Sequence, residues 1–532
     1  MFRMSSLTLI VTKDPDVLIR MVHERDIEIE RLQTMLKAMA ALVFGARSER
    51  AAAILDDQAS LDLGDLATDV TPPAAANDQA PAPAEAAPAR AARKRATRNI
   101  GFLPKHLPRV EEIIEPAITE CPCCAGKLHK IGEEVAEAMD AVPAILRVLR
   151  TIRPAYACRT CQEAPIQAPA RARLFDGGMA TTALIANIVT WKYAWHLPLY
   201  RQTQILAGQG VHVDRSTLAR WVCRAAWWLK PLYDLQLRAL HTHPRLFCDE
   251  TRMPVLEAGR KRTRTCQFWS HAVDDRPWNG PAAPAVVYVF AGGRGHKEIA
   301  SQLADYQGVL QVDAYGGYSA LEKDGRQPGP IRLALCMAHA RRKFTDVYKA
   351  TRSPIARDMI ERFAKIYAVE ADIKGTSAAE RLAARRERTV PLMTALKTRL
   401  GGALAEVSAK SSLAGAIRYS LNHWAGLTLF LDDGRIEVDN NTVERTMRPI
   451  ALGRKNSLFA GNDGGAETWA ILASLLNTAK LNEIDPYTWL SDVLEKMVSG
   501  QVKNHQLDQL LAWNWKAARQ VAAPPSTLRA AA

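Results

Sequence analysis

The chain has 532 residues, 48% of them apolar, and carries 70 Lys and Arg against 56 Asp and Glu, a formal charge of +14. That length exceeds what one hydrophobic core usually supports, and no run of about eighteen apolar residues is present to cross a bilayer; the apolar stretch in "MFRMSSLTLIVTKDPD" is too short, and lacks the small-residue cleavage site, to read as a secretory signal. Several soluble modules in the cytoplasm are expected, with a polyanion as a natural partner for the basic excess.

Residues 14–50 predict one long helix. Val22, Ile29, Leu36 and Val43 recur every seven positions, with Leu18, Leu32 and Met39 on the complementary seam and Arg25 interrupting it. The pattern serves either a coiled coil that pairs chains into a homo-oligomer or an amphipathic helix packed on its own chain. Residues 51–98 shift to Ala, Pro and Asp, too poor in large apolar groups to repay the entropy of ordering, and read as a disordered linker. The basic end of that linker, Arg90 to Arg98, is either a phosphate contact or a solvated charge run.

Within 99–175, "CPCC" at 121–124 and "CRTC" at 158–161 form two C-x-x-C knuckles. Clustered thiols in a long chain outside an oxidising compartment favour metal over disulfides. Cys121, Cys124, Cys158 and Cys161 suit a closed, structural Zn²⁺ site, with Cys123 leaving the register of the first knuckle open and His129 an alternative ligand. In 176–240, "LPLYRQTQILAGQGVHVDRSTLARWVCRAAWWL" predicts a helix, a turn at Gly208 and Gly210, and a second helix capped by Asp214 or Ser216. That is a helix-turn-helix pattern, in which Arg215, Arg220 and Arg224 become candidate DNA contacts; an ordinary helical hairpin beneath the next domain fits the same pattern.

After Pro244 the period changes to short strands, "RLFCDETRMPVL", "RTCQFWSHAV" and "AVVYVFAG", then the helix "HKEIASQLADY" and the strand "GVLQVDAYGGYSAL". Three strands, a helix and a strand predict a ribonuclease-H-like α/β sheet with its first and fourth strands adjacent at the centre. Asp249 and Asp313, at the ends of those strands, then meet and call for Mg²⁺ or Mn²⁺, hard cations that prefer oxygen ligands. A third acid is expected from "VDNNTVERTMRP" at 438–449, a helix begun near Asp439 to Asn441 and ended by Pro449, in which Glu444 sits one turn inside. Spacing alone serves equally a capping box of Asn441 with Glu444, or a Glu444–Arg448 ion pair. About 130 residues separate Asp313 from Glu444, too many for a loop, so 351–425 is expected to be a helical insertion into a core formed by 241–350 and 426–480. A helical region, 481–532, completes the chain.

The motifs "FCDET", "QVDAYGGY", "CMAHARRKF" and "VDNNTVERTMRPIALGRKNSLFAG" resemble those of the IS66-family transposases, DDE recombinases with a ribonuclease-H-like core, and the likeness extends to "LVFGARSER", the paired C-x-x-C, "ETWAILASLLNTAKLNEIDPYTWLSDVLEKM" and "LDQLLAWNW". The resemblance implies that Asp249, Asp313 and Glu444 are the catalytic, Mg²⁺-binding triad. It further implies transposition: cleavage at terminal inverted repeats, strand transfer into target DNA, residence at the nucleoid, and two small accessory proteins of the same element as partners. His339, Arg341, Arg342 and Lys343, with Arg445, Arg448, Arg454 and Lys455, are candidate phosphate contacts beside the metal site, against a reading of the cations as solubilising charge and of His339 as a buried structural histidine. The competing functions are a nuclease or resolvase of the same fold that cuts without joining, and a DNA-binding regulator that uses only the zinc and helix-turn-helix modules.

Overall fold

The structure is a computed structural model, and it describes residue 103 and residues 109–142, 145–160, 164–175, 177–257, 259, 262–323 and 325–522. The expected pairing helix (14–50), the linker (51–98) and Cys161 lie outside the described residues. Among the described residues no helix is long and apolar enough to cross a membrane.

The first described unit is a small sheet of β1 (Arg109–Ile113), β2 (His129–Val142), β3 (Ile145–Ala157) and β4 (Ile166–Gln167). Its order is β1-β3-β2, with β4 paired to the other end of β3. The long β2–β3 ladder sets Cys158 one residue past the end of β3, next to the turn that carries Cys121 and Cys124.

Three helices follow, α1 (Thr182–Tyr193), α2 (Leu199–Gly208) and α3 (Arg215–His241). The helix, turn and helix expected for 197–229 are present, and Asp214 takes the N-cap position. The second helix, however, runs on to His241, much longer than a recognition helix needs. Leu218, Trp221, Val222, Ala225, Leu229 and Leu232 repeat at three and four on one buried face, and Gln236 Nε2 donates to Thr478 Oγ1 at 2.9 Å deep in the core. The pair is therefore also the helical hairpin that supports the next domain.

That domain is a five-stranded sheet of β5 (Arg245–Val255), β6 (Arg264–Val273), β7 (Ala285–Ala291), β8 (Gly308–Val312) and β9 (Ile331–Leu335), with α4 (His296–Gln302) crossing between β7 and β8. The order is β7-β6-β5-β8-β9. β5, β6 and β7 are antiparallel, whereas β5, β8 and β9 run parallel. The first and fourth strands are neighbours at the centre, as the element order requires. Alternation along β5 sends Phe247, Asp249 and Thr251 to one face and Cys248 and Glu250 to the other.

The segment between the sheet and the third acid is helical: α5 (Met337–Thr351), α6 (Pro354–Asp372), α7 (Ala378–Ala384), α8 (Val390–Glu406), α9 (Ser412–Asn422) and α10 (Trp424–Thr428). These helices have a second hydrophobic core, built on Phe344, Phe363, Ile366, Leu396 and Ile417, which meets the sheet through Val309 and Ala334. A buried ionic network ties this insertion to the segment that leaves it. Arg385, fully buried, holds Glu370 through Nε at 2.9 Å and Nη2 at 2.7 Å and donates to the Phe430 carbonyl at 2.9 Å. Arg381 holds Glu437 at 2.7 Å. Gly434 packs so closely on Ala378 that an added Cβ would lie 1.8 Å from its carbonyl oxygen.

The chain closes with α11 (Asn441–Ser457), α12 (Asp463–Leu481), α13 (Pro486–Val498) and α14 (Ala512–Ala522). Here one expectation fails. Pro449 lies inside α11, which continues to Ser457. The proline removes one backbone bond to the residue four before it, yet Val443, Met447, Ile450 and Ala451 keep burying the same face against the sheet, and that packing carries the helix through. The capping box is also absent: the N-cap is Asn440, and its side chain makes no capping bond.

Candidate active site

β5 and β8 run parallel in the register Phe247↔Gln311, and two further steps along each strand reach Asp249 and Asp313. Each acid is braced by its own backbone turn: Glu250 N–H donates to Asp249 Oδ1 at 2.8 Å, and Tyr315 N–H to Asp313 Oδ1 at 3.0 Å. α11 covers the face of β5 that carries Asp249. Ser270, opposite Asp249 on β6, meets Thr446 Oγ1 at 3.0 Å, and Arg454 reaches Thr251 Oγ1 at 3.1 Å, so α11 is fastened on both sides of Asp249. Its first turn brings in Glu444.

The segment before α11 is stitched to β8. Gln311, two residues before Asp313, donates to the Glu437 carbonyl and accepts the Glu437 N–H, both at 3.0 Å, which places an ordinary strand-like exchange in a side chain. Met337 N–H donates to the Val438 carbonyl at 3.0 Å, and Cys336 N–H to the Val312 carbonyl at 3.0 Å. The positions of the second and third acids are thus coupled through a handful of backbone groups, although the acids are 131 positions apart in the chain.

Burial pushes Asp249 well above the ordinary carboxylate range, and the negative charges of Glu250, Asp313 and Glu444 push it the same way. Burial also raises Glu250, with Arg294 opposing it; Glu250 is held by Arg294 and by the Tyr318 hydroxyl at 3.2 Å on the far face of the strand. Arg294 lies over the Tyr315 ring, 3.9 Å from its centroid. Arg294 is committed to Glu250, and the charges of Asp313 and Glu444 act on the buried Asp249 in a partly desolvated place. Oxygen donors in such a setting fit a hard divalent cation of the Mg²⁺ type. Asp439, by contrast, is raised to about 6 by burial, against the Asn441 backbone bond that stabilises its charged form, and its oxygens take Asn441 N–H and Nδ2 at 3.1 and 2.8 Å.

Of the candidate phosphate contacts, Arg445, Arg448 and Lys455 are exposed on α11 and Lys343 on α5. Arg341, Arg342 and His339 are half-buried, and Arg454 is spent on the Arg252 carbonyl and Thr251. Arg215 and Arg220 are exposed near the start of α3, whereas Arg224 donates to the Leu174 carbonyl at 3.0 Å and stacks over Trp227. Sequence reasoning passed over Cys336, Glu250 and Gln311. The tight sequence "FCDET" offered a second acid, but nothing local to Gln311 announces a partner 126 positions away.

At the small sheet, the sulfurs of Cys121, Cys124 and Cys158 all lie within 4.8 Å of one another, with Cys124 and Cys158 at 3.6 Å. A disulfide would need about 2.05 Å, while four sulfurs about 2.3 Å from a tetrahedral zinc stand roughly 3.8 Å apart. Ala125 N–H donates to the Cys121 carbonyl at 2.8 Å, and Gly126 leaves room where a Cβ would come within 3.3 Å of the Cys124 sulfur. The donor set fits zinc.

Comparison with known families places these features together. The model described as Transposase IS66 family matches residues 177–468. The zinc-finger binding domain of transposase IS66 matches 119–162, the IS66 C-terminal element 474–513, and a model described as Transposase C of IS166 homeodomain 31–111. Among relatives from Sinorhizobium fredii, the protein described as "Uncharacterized protein y4jD" is 54% identical, with 95% of this chain and 97% of the relative covered. "Uncharacterized protein y4qI" is 40% identical (92% and 89% covered) and "Uncharacterized protein y4hP" 36% identical (93% and 89%).

Proposed function

The chain belongs to the IS66 transposase family, and from that premise we propose that it cuts DNA at the terminal inverted repeats of its element and joins the freed ends to target DNA. The observation that carries this reading is that Asp313 and Glu444, each on a different element from Asp249, both act through their charges on that buried carboxyl. The sheet order, three antiparallel strands followed by two parallel ones, supports a ribonuclease-H-like core.

In this reading Asp249, Asp313 and Glu444 hold Mg²⁺ or Mn²⁺ through carboxylate oxygens. Bound there, such ions would supply Lewis-acid activation of the attacking oxygen and would neutralise charge on the leaving one. Water cleaves a phosphodiester and leaves a 3′-hydroxyl, whose oxygen then attacks a target phosphodiester with expulsion of a second 3′-oxygen. The chain's part is positioning: Arg445, Arg448 and Lys455 on α11, and Arg341, Arg342, Lys343 and His339 on α5, flank the acids and grip backbone phosphate, while the exposed Arg215 and Arg220 of α3 are the candidates for reading the repeat, Arg224 being held by the Leu174 carbonyl. Pairing through 14–50 lets one assembly hold two ends, and the accessory proteins of the element are further partners in this scheme.

Incubating the full-length protein with labelled element ends, a target plasmid and Mg²⁺ tests the reading. Nicked ends bearing 3′-hydroxyls followed by joined products are expected; nicking without joining, even from precut ends, identifies a nuclease, and binding without nicking a regulator.

Two further results are expected. Because each phosphate neutralised releases about 0.9 of a counterion, Lys455→Ala should reduce the slope of log affinity against log salt by about 1 without changing which sequence is preferred. Zinc held by Cys121, Cys124, Cys158 and Cys161 should copurify at about one ion per chain. Cys158→Ser should lose it and open residues 109–175 to protease while β5 to β9 stay protected, since such a site contributes folding energy directly; metal analysis and mass mapping of the fragments read both.

A further inference from the structure

Next to the carboxylates the first turns of α5 and α11 face each other. They gather a cysteine sulfur, a histidine ring nitrogen and a carboxylate oxygen, from Cys336, His339 and Glu444, within 4.8 Å of one another. His339 Nδ1 stands 3.9 Å from Glu444 Oε1. Cys336 is the N-cap of α5 and His339 lies three residues on, so one helical turn sets the sulfur and the imidazole side by side. Glu444 arrives on the second helix, and the two starts are fastened by Asn440 N–H to Cys336 Sγ at 3.4 Å and by Met337 N–H to the Val438 carbonyl. The sulfur is buried, but the side chains of His339 and Glu444 remain 26% and 12% exposed, so an ion has a route in.

Sulfur, imidazole and one carboxylate form a donor set for zinc-like cations and a poor one for Mg²⁺, which wants oxygen alone. Ligand atoms about 2.0 to 2.3 Å from zinc stand roughly 3.5 Å apart, a closure of about an ångström that rotation of the partly exposed His339 and Glu444 side chains supplies. Three protein ligands leave one position for water.

We propose that Cys336, His339 and Glu444 form a second metal site, selective for thiophilic divalent cations of the Zn²⁺ class, whose occupation withdraws Glu444 from Asp249 and Asp313. On binding, sulfur, nitrogen and oxygen each donate a lone pair to the ion, the Cys336 sulfhydryl proton leaves to water, and nothing is oxidised or reduced. The site makes excess zinc an inhibitor that competes with the Mg²⁺-loaded state for one shared carboxylate.

The test uses the full-length chain with its Cys121, Cys124 and Cys158 site already filled with zinc, titrated with Co²⁺, whose thiolate charge-transfer absorption reports a sulfur ligand. One new cobalt–thiolate band per chain is expected. It should vanish in Cys336→Ser, persist in Cys123→Ser, and require at least about tenfold more cobalt in His339→Gln. Absence of the band in the wild type, or its survival in Cys336→Ser, overturns the site. Should Cys336→Ser not fold, an affinity in His339→Gln equal to that of the wild type overturns it instead. The inhibitory half rests on the proposed role of Glu444: the zinc concentration that halves Mg²⁺-dependent cleavage should rise at least about tenfold in Cys336→Ser, each protein compared with its own zinc-free rate, and equal sensitivity overturns the competition. A cobalt band without any Mg²⁺-dependent cleavage supports the metal site and fails the transposase reading, so the two are separable.

Discussion

Glu444→Gln is expected to lower Mg²⁺-dependent strand cleavage by about a thousandfold or more while leaving DNA affinity unchanged or slightly tighter. Metal-borne stabilisation of a phosphoryl transition state amounts to several kcal/mol, and each 1.4 kcal/mol is a factor of ten in rate. The amide keeps the shape of the side chain and one oxygen but not the charge. It also removes one of the negative charges that hold Asp249 above the ordinary carboxylate range. Relief of that repulsion should make the metal-free variant melt slightly higher than the wild type at pH 7, which separates loss of chemistry from loss of fold. Gel-shift, cleavage and melting measurements on the same preparation decide it; cleavage within tenfold of the wild type would remove Glu444 from the reaction.

The second large effect concerns the insertion. Arg385→Met should destabilise residues 354–422 by about 3–5 kcal/mol, because deleting one member of a buried ionic network strands the others. Glu370 has only 8% of its side chain exposed, and Arg385 also satisfies the Phe430 and Asp433 carbonyls at 2.9 and 3.2 Å. Methionine fills the volume but supplies no donor. Native-state hydrogen exchange reads the effect locally, which suits a multidomain chain that need not unfold in one step: amides of α6 to α9 should lose that much protection while those of β6 and β7 hold theirs. A loss under about 1 kcal/mol would mean that water enters and solvates Glu370, and that the network carries little of the insertion's stability.

Legibility followed sequence distance and periodicity. The adjacency of Asp249 and Asp313 was readable because strand order and parallel register are governed by few rules, and the grouping of Cys121, Cys124 and Cys158 because each knuckle is local. The insertion's helices were readable from their 3.6-residue period. What stayed hidden depends on pairs distant in the chain: Gln311 with Glu437, Arg385 with Glu370 and the Phe430 carbonyl, and the Cys336 sulfur with Asn440. Pro449 misled for a related reason, since its local penalty is certain while the packing that outweighs it, Val443 and Met447 against the sheet, belongs to the tertiary structure. Glu444 in sequence was compatible with an end-cap, an ion pair or a metal ligand; only the tertiary structure sets α11 over the strand of Asp249, where its charge reaches that acid.

The stitching of Gln311 to the Glu437 backbone has a bearing on how the protein is born. A ribosome finishes β8 long before it reaches α11, and at about 5–20 residues per second the intervening stretch takes many seconds to emerge. During that interval the nascent chain carries two acids and an unanswered glutamine, and closing so long a loop costs more entropy than any local step until the insertion has folded and shortened the gap. In the proposed reading the chemistry waits on completion of synthesis: a truncated or stalled product that ends before α11 holds Asp249 and Asp313 without Glu444 and is expected to cut no DNA.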